Sequence, residues 1–304
     1  MPIVDLEKTA NHISNWIKEY ANKAGIKTLV LGLSGGVDSA LVALLCKRTG
    51  LPLLCVNMPC HSSDSAYNRA KAFADEYNLN ITKIDLSSAH DVIYGQAKKL
   101  EVGRIKFDAN RPVAVGGLRS CLRAPTLSFF ANATGGLIIG TGNRSEDNLT
   151  RYFQKYGDGC VDISPISDLF KAEVYELFNY LAVKMSDMLN NDMPPAAKAI
   201  SDAKPTADLW GPDSGQEDEK ELGISYEEIE WADREDMRTA KSSPSGKGII
   251  VSEGDPAKHS AWMGYIGRQK TVVAKMHQLE KISRHKYNAS LPMCQVRNVP
   301  GLVR

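Results

Sequence analysis

No stretch of this sequence approaches the roughly 18 uninterrupted apolar residues that a membrane-spanning helix requires. The opening segment, MPIVDLEKTANHISNWIKEY, carries charges where a secretory signal would need an apolar run. No membrane partner and a cytoplasmic location are therefore expected. The chain also lacks any C-x-x-C pair, its six cysteines (Cys46, Cys55, Cys60, Cys121, Cys160 and Cys294) being scattered. A core of this size needs no covalent staples, so the thiols are expected to be reduced, and the N-x-[ST] matches at Asn132, Asn143, Asn148 and Asn288 to be without glycans. An excess of one charge is missing too: 37 Lys and Arg against 36 Asp and Glu leave a formal net charge of +1. That balance argues against nucleic acid as a partner. There is no internal repeat. A Walker-type loop is absent, because Gly246-Lys247 has neither the upstream glycine nor the following hydroxyl residue.

What is present is an ordinary globular composition, 43% hydrophobic and 24% charged over 304 residues, enough to bury a sizeable core. Ile13, Trp16, Ile17, Tyr20 and Ala24 recur at helical spacing. Short apolar runs at 28–33, 53–58 and 136–141 read as strands, 80–85 is a further strand candidate, and 40–48, 63–77 and 118–133 read as helices. Ser62 or Ser63 is the expected cap of the second of these helices. Buried strands alternating with helices imply right-handed crossovers and a parallel sheet, so the fold class is α/β, a doubly wound parallel sheet flanked by helices. Later in the chain, 168–181 reads as an amphipathic helix capped by Ser167 or Asp168, and 265–283 as another with Val272, Met276 and Leu279 on one face. The Pro, Gly and Asp-rich stretch 190–224 reads as a long ordered loop. Residues 241–260, rich in Ser, Gly and Pro, read as a segment that is mobile or closes over a ligand. The chain is not cut into separate folding units.

The first strand runs into Gly32-Leu33-Ser34-Gly35-Gly36-Val37-Asp38-Ser39. One reading is a pyrophosphate-binding loop. Gly35 and Gly36 permit positive φ and leave backbone amides open to an anion at a helix start, while Ser34 and Ser39 add hydroxyls. Asp38 would face phosphate badly unless a divalent cation lay between them, and Mg²⁺ favours that donor set. A second reading is a nucleophile elbow, since Gly32 to Gly36 also satisfies G-x-S-x-G, with His259, His277 or His285 completing a triad. A third is a turn that is merely glycine-rich. Asp38-Ser39 favours the first, because an elbow has no use for them. Downstream, Gly140-Thr-Gly-Asn-Arg-Ser-Glu146 follows the fourth strand and would bring Glu146 to the same rim as Asp38, giving two carboxylates for one Mg²⁺. Glu146 read alone is also an ordinary acid in a first helical turn, and Lys155-Tyr-Gly-Asp-Gly159 an ordinary tight turn.

Taken in order, these motifs resemble the ammonia-dependent NAD synthetases, members of the ATP pyrophosphatase group with an adenine nucleotide alpha hydrolase-like fold. SGGVDS at 34–39 is common to the whole group. The narrower signal is GTGNRSE at 140–146, KYGDG at 155–159 with Asp162, PISDLFK ending at Lys171, KPTADL at 204–209, DEKELGISYEEI at 218–229 and His285-Lys286. The resemblance covers about residues 28–290. It implies that ATP activates the carboxylate of nicotinic acid adenine dinucleotide as an acyl-adenylate, with release of pyrophosphate, and that ammonia then displaces AMP to give NAD. On the matching positions it implies ATP contacts at Gly32, Leu33, Ser34, Gly35, Gly36, Val37, Asp38, Ser39, Thr141, Thr206 and Lys171. It implies Mg²⁺ on Asp38 and Glu146, and dinucleotide contacts at Arg123, Lys155, Asp162, His285 and Lys286. Asp158 would receive ammonia, and Lys171 would neutralise the triphosphate.

The family is commonly homodimeric, so a homodimer is expected, and nothing in 1–304 resembles the glutaminase domain that some relatives carry. The other readings are another ATP-pyrophosphatase ligase (GMP synthetase-like or tRNA-modifying) and a serine hydrolase using Ser34. The sequence departs from the family pattern at Cys121, where an arginine is usual and where Arg119 or Arg123 would take over. It departs also at Pro125, which interrupts that helix, and in 234–263, longer than expected and read as a mobile insertion or lid.

Overall fold

The computed structural model describes residues 3–186, 192–207, 209–211, 215–242, 247–251, 255–286 and 291–302. In chain order these contain α1 (Leu6–Lys23), β1 (Thr28–Gly32), α2 (Val37–Arg48), β2 (Leu53–Asn57), α3 (Asp64–Glu76), β3 (Asn80–Lys83), α4 (Ser87–Ala97), α5 (Pro112–Thr134) and β4 (Gly136–Ile139). A π-helical segment, Arg144–Thr150, is followed by α6 (Lys171–Lys184), α7 (Pro195–Ser201), α8 (Asp218–Leu222), α9 (Tyr226–Ser242) and α10 (Gly267–Ser283). The strands form one parallel sheet in the order β3-β2-β1-β4.

Because strand side chains alternate between faces, the apolar runs feed two different cores. Leu29, Leu31, Cys55, Leu137 and Ile139 point into the larger one, shared with α1, α2 and α6. Val30, Val56 and Ile138 point the other way, against Leu127 and Ala131 of α5. Both faces of β1, β2 and β4 are thus covered, which is why these strands read as unbroken apolar runs, while the edge strand β3 stays partly exposed. A third cluster, with Ile229, Val272 and Met276, joins α9 to α10 beside the π-helical segment.

Several local expectations need correction. Pro125 lies inside α5 without ending it; Ala124 and Leu127 on either side are buried. Ser63 sits at the N-cap of α3, but its hydroxyl turns to Ser65 at 2.8 Å and makes no cap bond. The helix expected from 168 begins at Lys171, with Phe170 as N-cap. The loop of 190–224 contains α7 and α8, and its residues 190, 191, 208 and 212–214 lie outside the described residues. Of the proposed insertion, residues 234–242 complete α9, while Ile249 and Ile250 are buried, with their amides donating to Thr239 and Asp236. Residues 243–246 and 252–254 of that segment lie outside the described residues. All six cysteines are free.

Asp168 does not cap α6 because its carboxylate is taken. Its Oδ2 accepts the Val296 and Arg297 amides at 2.9 and 2.8 Å, and its Oδ1 meets the Arg144 guanidinium at 3.2 Å. The Arg297 guanidinium lies 4.1 Å over the Phe170 ring and pairs with Glu173. The last residues of the chain therefore clamp the start of α6. Asp168→Ala should leave two amides without their acceptor and take one of two carboxylate partners from Arg144 and Arg297, lowering stability by about 2 kcal/mol. Urea denaturation checks the size, and faster proteolysis of the tail checks the place; an unchanged midpoint would contradict the clamp.

Candidate active site

The strand order reverses between β1 and β4, and ligands of open α/β sheets bind beyond the carboxyl ends of strands at such a point. A cavity of about 530 Å³ opens there. Its walls include Ser34, Gly36, Asp38, Arg69, Arg123, Thr141, Glu146, Asp158, Lys171, Thr206 and Asp218.

The loop after β1 is shaped by close packing. Gly35 has φ +91°, and a Cβ there would stand 2.3 Å from the Ala66 carbonyl oxygen of α3, so only glycine fits. Gly36 differs from the sequence expectation: its φ is −97°, and it serves as the N-cap of α2. Hydroxyls hold the turn together. The Ser34 amide donates to Ser39 Oγ at 3.2 Å, the Gly36 amide to Ser34 Oγ at 3.2 Å, and Ser39 Oγ donates to the Gly36 carbonyl at 3.0 Å. Ser34 Oγ and Ser39 Oγ are 3.0 Å apart. Among the described residues no histidine lines the cavity, so Ser34 has no triad partner there and the elbow reading fails. Arg69 of α3, which the sequence reading missed, lines the cavity and donates from Nε to the Gly35 carbonyl at 3.2 Å.

Three elements far apart in sequence bring their charges together beside this loop. Asp38 lies in the first turn of α2, Glu146 in the π-helical segment, and Lys171 is the first residue of α6. Lys171 Nζ sits 2.6 Å from Asp38 Oδ2 and 2.9 Å from Glu146 Oε1, with only 4% of the residue exposed. Burial alone would lower the Lys171 pKa, but the two carboxylates hold its ammonium well above the ordinary lysine range. Burial pushes the Glu146 carboxyl up, against the attraction of Lys171. Asn143, fully buried, links the acids: its Nδ2 donates to Asp38 Oδ1 at 2.9 Å and its Oδ1 accepts the Glu146 amide at 3.0 Å. Two carboxylates already converge on one cation, and hard oxygen donors of this kind fit Mg²⁺.

Behind Glu146 lies a pair that the sequence did not single out. The Tyr226 hydroxyl donates to Glu146 Oε1 at 2.5 Å and is 3.2 Å from Asp218 Oδ2. A phenol has one proton, so with Glu146 as its acceptor it can bond Asp218 only by accepting from a protonated carboxyl. Burial and the nearby Glu146 charge push Asp218 up to about 6, in line with that arrangement.

On the opposite wall, Gly157 passes so near α5 that a Cβ would be 2.3 Å from Ser120 Oγ. Ser120 Oγ and the Gln154 amide donate to Asp158 Oδ1 at 2.7 and 2.9 Å, fixing an otherwise exposed carboxylate at the cavity edge. Arg123 joins it there, while Arg119 turns to the Leu209 carbonyl at 2.9 Å. The remaining sequence candidates do not line the cavity. Lys155 Nζ donates to the His285 carbonyl at 3.1 Å. Lys286 Nζ donates to the Arg151 and Phe153 carbonyls at 2.9 and 2.5 Å, and burial lowers its pKa. Asp162 Oδ2 accepts the Ile138 amide at 2.8 Å. Together they brace 151–162 against β4 and the end of α10.

The family model described as NAD synthase matches residues 9–240. An NH(3)-dependent NAD(+) synthetase of Finegoldia magna is 34% identical over 253 residues, covering 83% of this chain and 92% of its own. That of Methanosarcina mazei is 36% identical over 231 residues, covering 75% and 81%. Among solved structures, NMN synthetase from Francisella tularensis aligns with a TM-score of 0.71 and 25% identity over 94% of this chain and 98% of its own. NH3-dependent NAD synthetase from Campylobacter jejuni aligns with a TM-score of 0.62 and 22% identity over 94% and 99%, a likeness of fold.

The raised Asp218 pKa has a testable sign. The folded protein holds this proton more tightly than the unfolded chain, so the contribution is full below about pH 4 and is lost as pH rises through about 6. In metal-free protein, Asp218→Asn should therefore gain stability relative to wild type across that window, by up to about 3 kcal/mol. Denaturation of both proteins between pH 4 and 7 checks this; a constant difference would mean that Asp218 is ionised throughout.

Proposed function

Because the chain belongs to the NAD synthase family, we propose that this cavity binds ATP across the loop at 34–39 and the acid pair, with the nicotinate carboxylate of the second substrate entering beside Asp158. The reaction is the ATP-dependent amidation of nicotinic acid adenine dinucleotide by ammonia to NAD, with formation of a C–N bond. The single observation that carries the placement is Lys171, shared between Asp38 and Glu146 at the mouth of a backbone-amide turn.

Each residue then has a task. The nicotinate carboxylate attacks the α-phosphorus, its C–O–P bond forms, and the bond to pyrophosphate breaks. The amides at the start of α2 and the Ser34 and Ser39 hydroxyls receive the departing diphosphate, aided by the positive end of the helix. Lys171, and Arg69 from α3, neutralise the charge that gathers on it. Asp38 and Glu146 would hold Mg²⁺, which when bound offsets phosphate charge. Thr141 and Thr206, which line the cavity, would contact the nucleotide. Asp158 attracts ammonium and takes a proton from it, freeing the lone pair that attacks the acyl carbon and expels AMP. Lys155, Asp162, His285 and Lys286 act on the dinucleotide through the 151–162 segment that they brace. No protein nucleophile is needed; positioning and charge do the work.

The match to an NMN synthetase favours a second reading, in which the mononucleotide acid is the acceptor. For assembly, we propose a homodimer through the α4–α5 side, where Val92, Ile93, Val113 and Phe129 are exposed. No helix among the described residues is long and apolar enough to cross a membrane.

AMP and pyrophosphate release should require ATP, Mg²⁺, ammonium and the dinucleotide acid. Turnover confined to the mononucleotide acid would establish the second reading, and turnover with neither acid would sink both. Lys171→Ala should slow single-turnover pyrophosphate release by about 100- to 1,000-fold, the scale set by losing one preorganised donor. Circular dichroism checks that the variant folds; a folded variant with the wild-type rate would remove Lys171 from the chemistry.

A further inference from the structure

A second cluster of ligating side chains stands outside the acid pair, where the loop after β2 meets α4. His61 Nε2 is 2.7 Å from Asp91 Oδ1, and His90 Nδ1 is 3.4 Å from the same oxygen. One ligand atom from each of the three residues lies within 4.8 Å of the others. In a tetrahedral zinc site with bonds of about 2.0 Å, neighbouring ligand atoms are about 3.3 Å apart, so these groups need little movement to share an ion.

Two features set the cluster apart from a surface ion pair. His61 has φ +52°, a left-handed conformation that a residue with a Cβ adopts at a cost of order 1–2 kcal/mol. His90 is 2% exposed and points Nδ1, not the Nε2 that is unpartnered among the described residues, at Asp91. A left-handed His61 and a buried His90 thus turn Nε2 and Nδ1 respectively to one carboxylate oxygen, an arrangement with more ligating atoms than a surface ion pair needs. The surroundings are ordered for it. The His61 amide donates to Ser87 Oγ at 3.0 Å and the Leu86 amide to the Pro59 carbonyl at 2.8 Å, so the loop and the start of α4 are already joined.

We propose that His61, His90 and Asp91 form a binding site for a divalent transition metal, with zinc the best fit. Imidazole nitrogens select zinc, cobalt or nickel over magnesium, which separates this site from Asp38 and Glu146. Three protein ligands leave a fourth position, and it opens to solvent, since the Asp91 side chain is 60% and that of His61 34% exposed. The loop bearing His61 also supplies Pro59, Ser62 and Ser63 to the cavity wall. A bound ion would stiffen that wall.

The test uses the full chain without an affinity tag, titrated with Zn²⁺ alone and with Co²⁺, whose visible bands report tetrahedral coordination. Wild type should bind one equivalent with a tetrahedral Co²⁺ spectrum, and Asp38→Asn should do the same. His61→Ala and Asp91→Asn should weaken binding by roughly a hundredfold or more and abolish the spectrum. Asp91 is on the helix surface, so its variant keeps the test valid should His61→Ala fail to fold. Absence of stoichiometric Zn²⁺ binding in wild type, or equal binding in wild type and Asp91→Asn, would overturn the proposal.

Discussion

The arrangement of this protein depends on one ammonium held between two carboxylates. Asp38, Glu146 and Lys171 come from the helix after β1, the segment after β4 and the start of α6, and each is buried enough that none is stable alone. If the cation is removed, two acids face each other in a poorly solvated cleft. If either acid is removed, a buried lysine loses half of its compensation. The charges therefore tie the two strands that flank the switch point to the helix that packs behind them.

The position of Lys171 is itself secured from a distance. Phe170 lies under the Arg297 guanidinium, with Arg144 5.5 Å from the same ring, and Asp168 and Glu173 answer those charges. Arg144 also reaches Asp233 on α9 at 3.1 Å. The clamp on α6 thus connects the chain's last residues, the α9–α10 core and the acid pair. Packing that looks remote from the chemistry sets the point from which the lysine projects.

Much of this is readable in the sequence. Continuous apolar runs and the glycine turn are enough for the sheet and for the place of the site, because burial on both faces and a turn that only glycine can make leave local marks. The converging acids follow from their positions after two strands. The contacts that escape have no local mark. Asp168 looks like a cap, and only the tail, 128 residues away, explains why it is not. Tyr226 finds Glu146 across 80 residues, and no spacing rule announces such a pair. Arg69 reads as one more helical arginine until Gly35 is seen against α3. Helix α4, which buries only His90, has no apolar stripe to give it away. The lysine and histidine near 285 lead to carbonyls of 151–155 and to Lys155, not to open cavity.

The wide-turned segment at 144–150 bears on how this chain tolerates changes in length. Its backbone closes one residue later than an α-turn, with the Arg151 amide reaching back to the Glu146 carbonyl. Loss of a single residue there would let it relax into ordinary helix and swing the downstream chain by about 100°. Glu146 and its phenol neighbour would part company while every apolar contact of the sheet survived. An alignment gap in this short stretch would thus mark a protein that keeps the architecture without this pairing of acid and phenol.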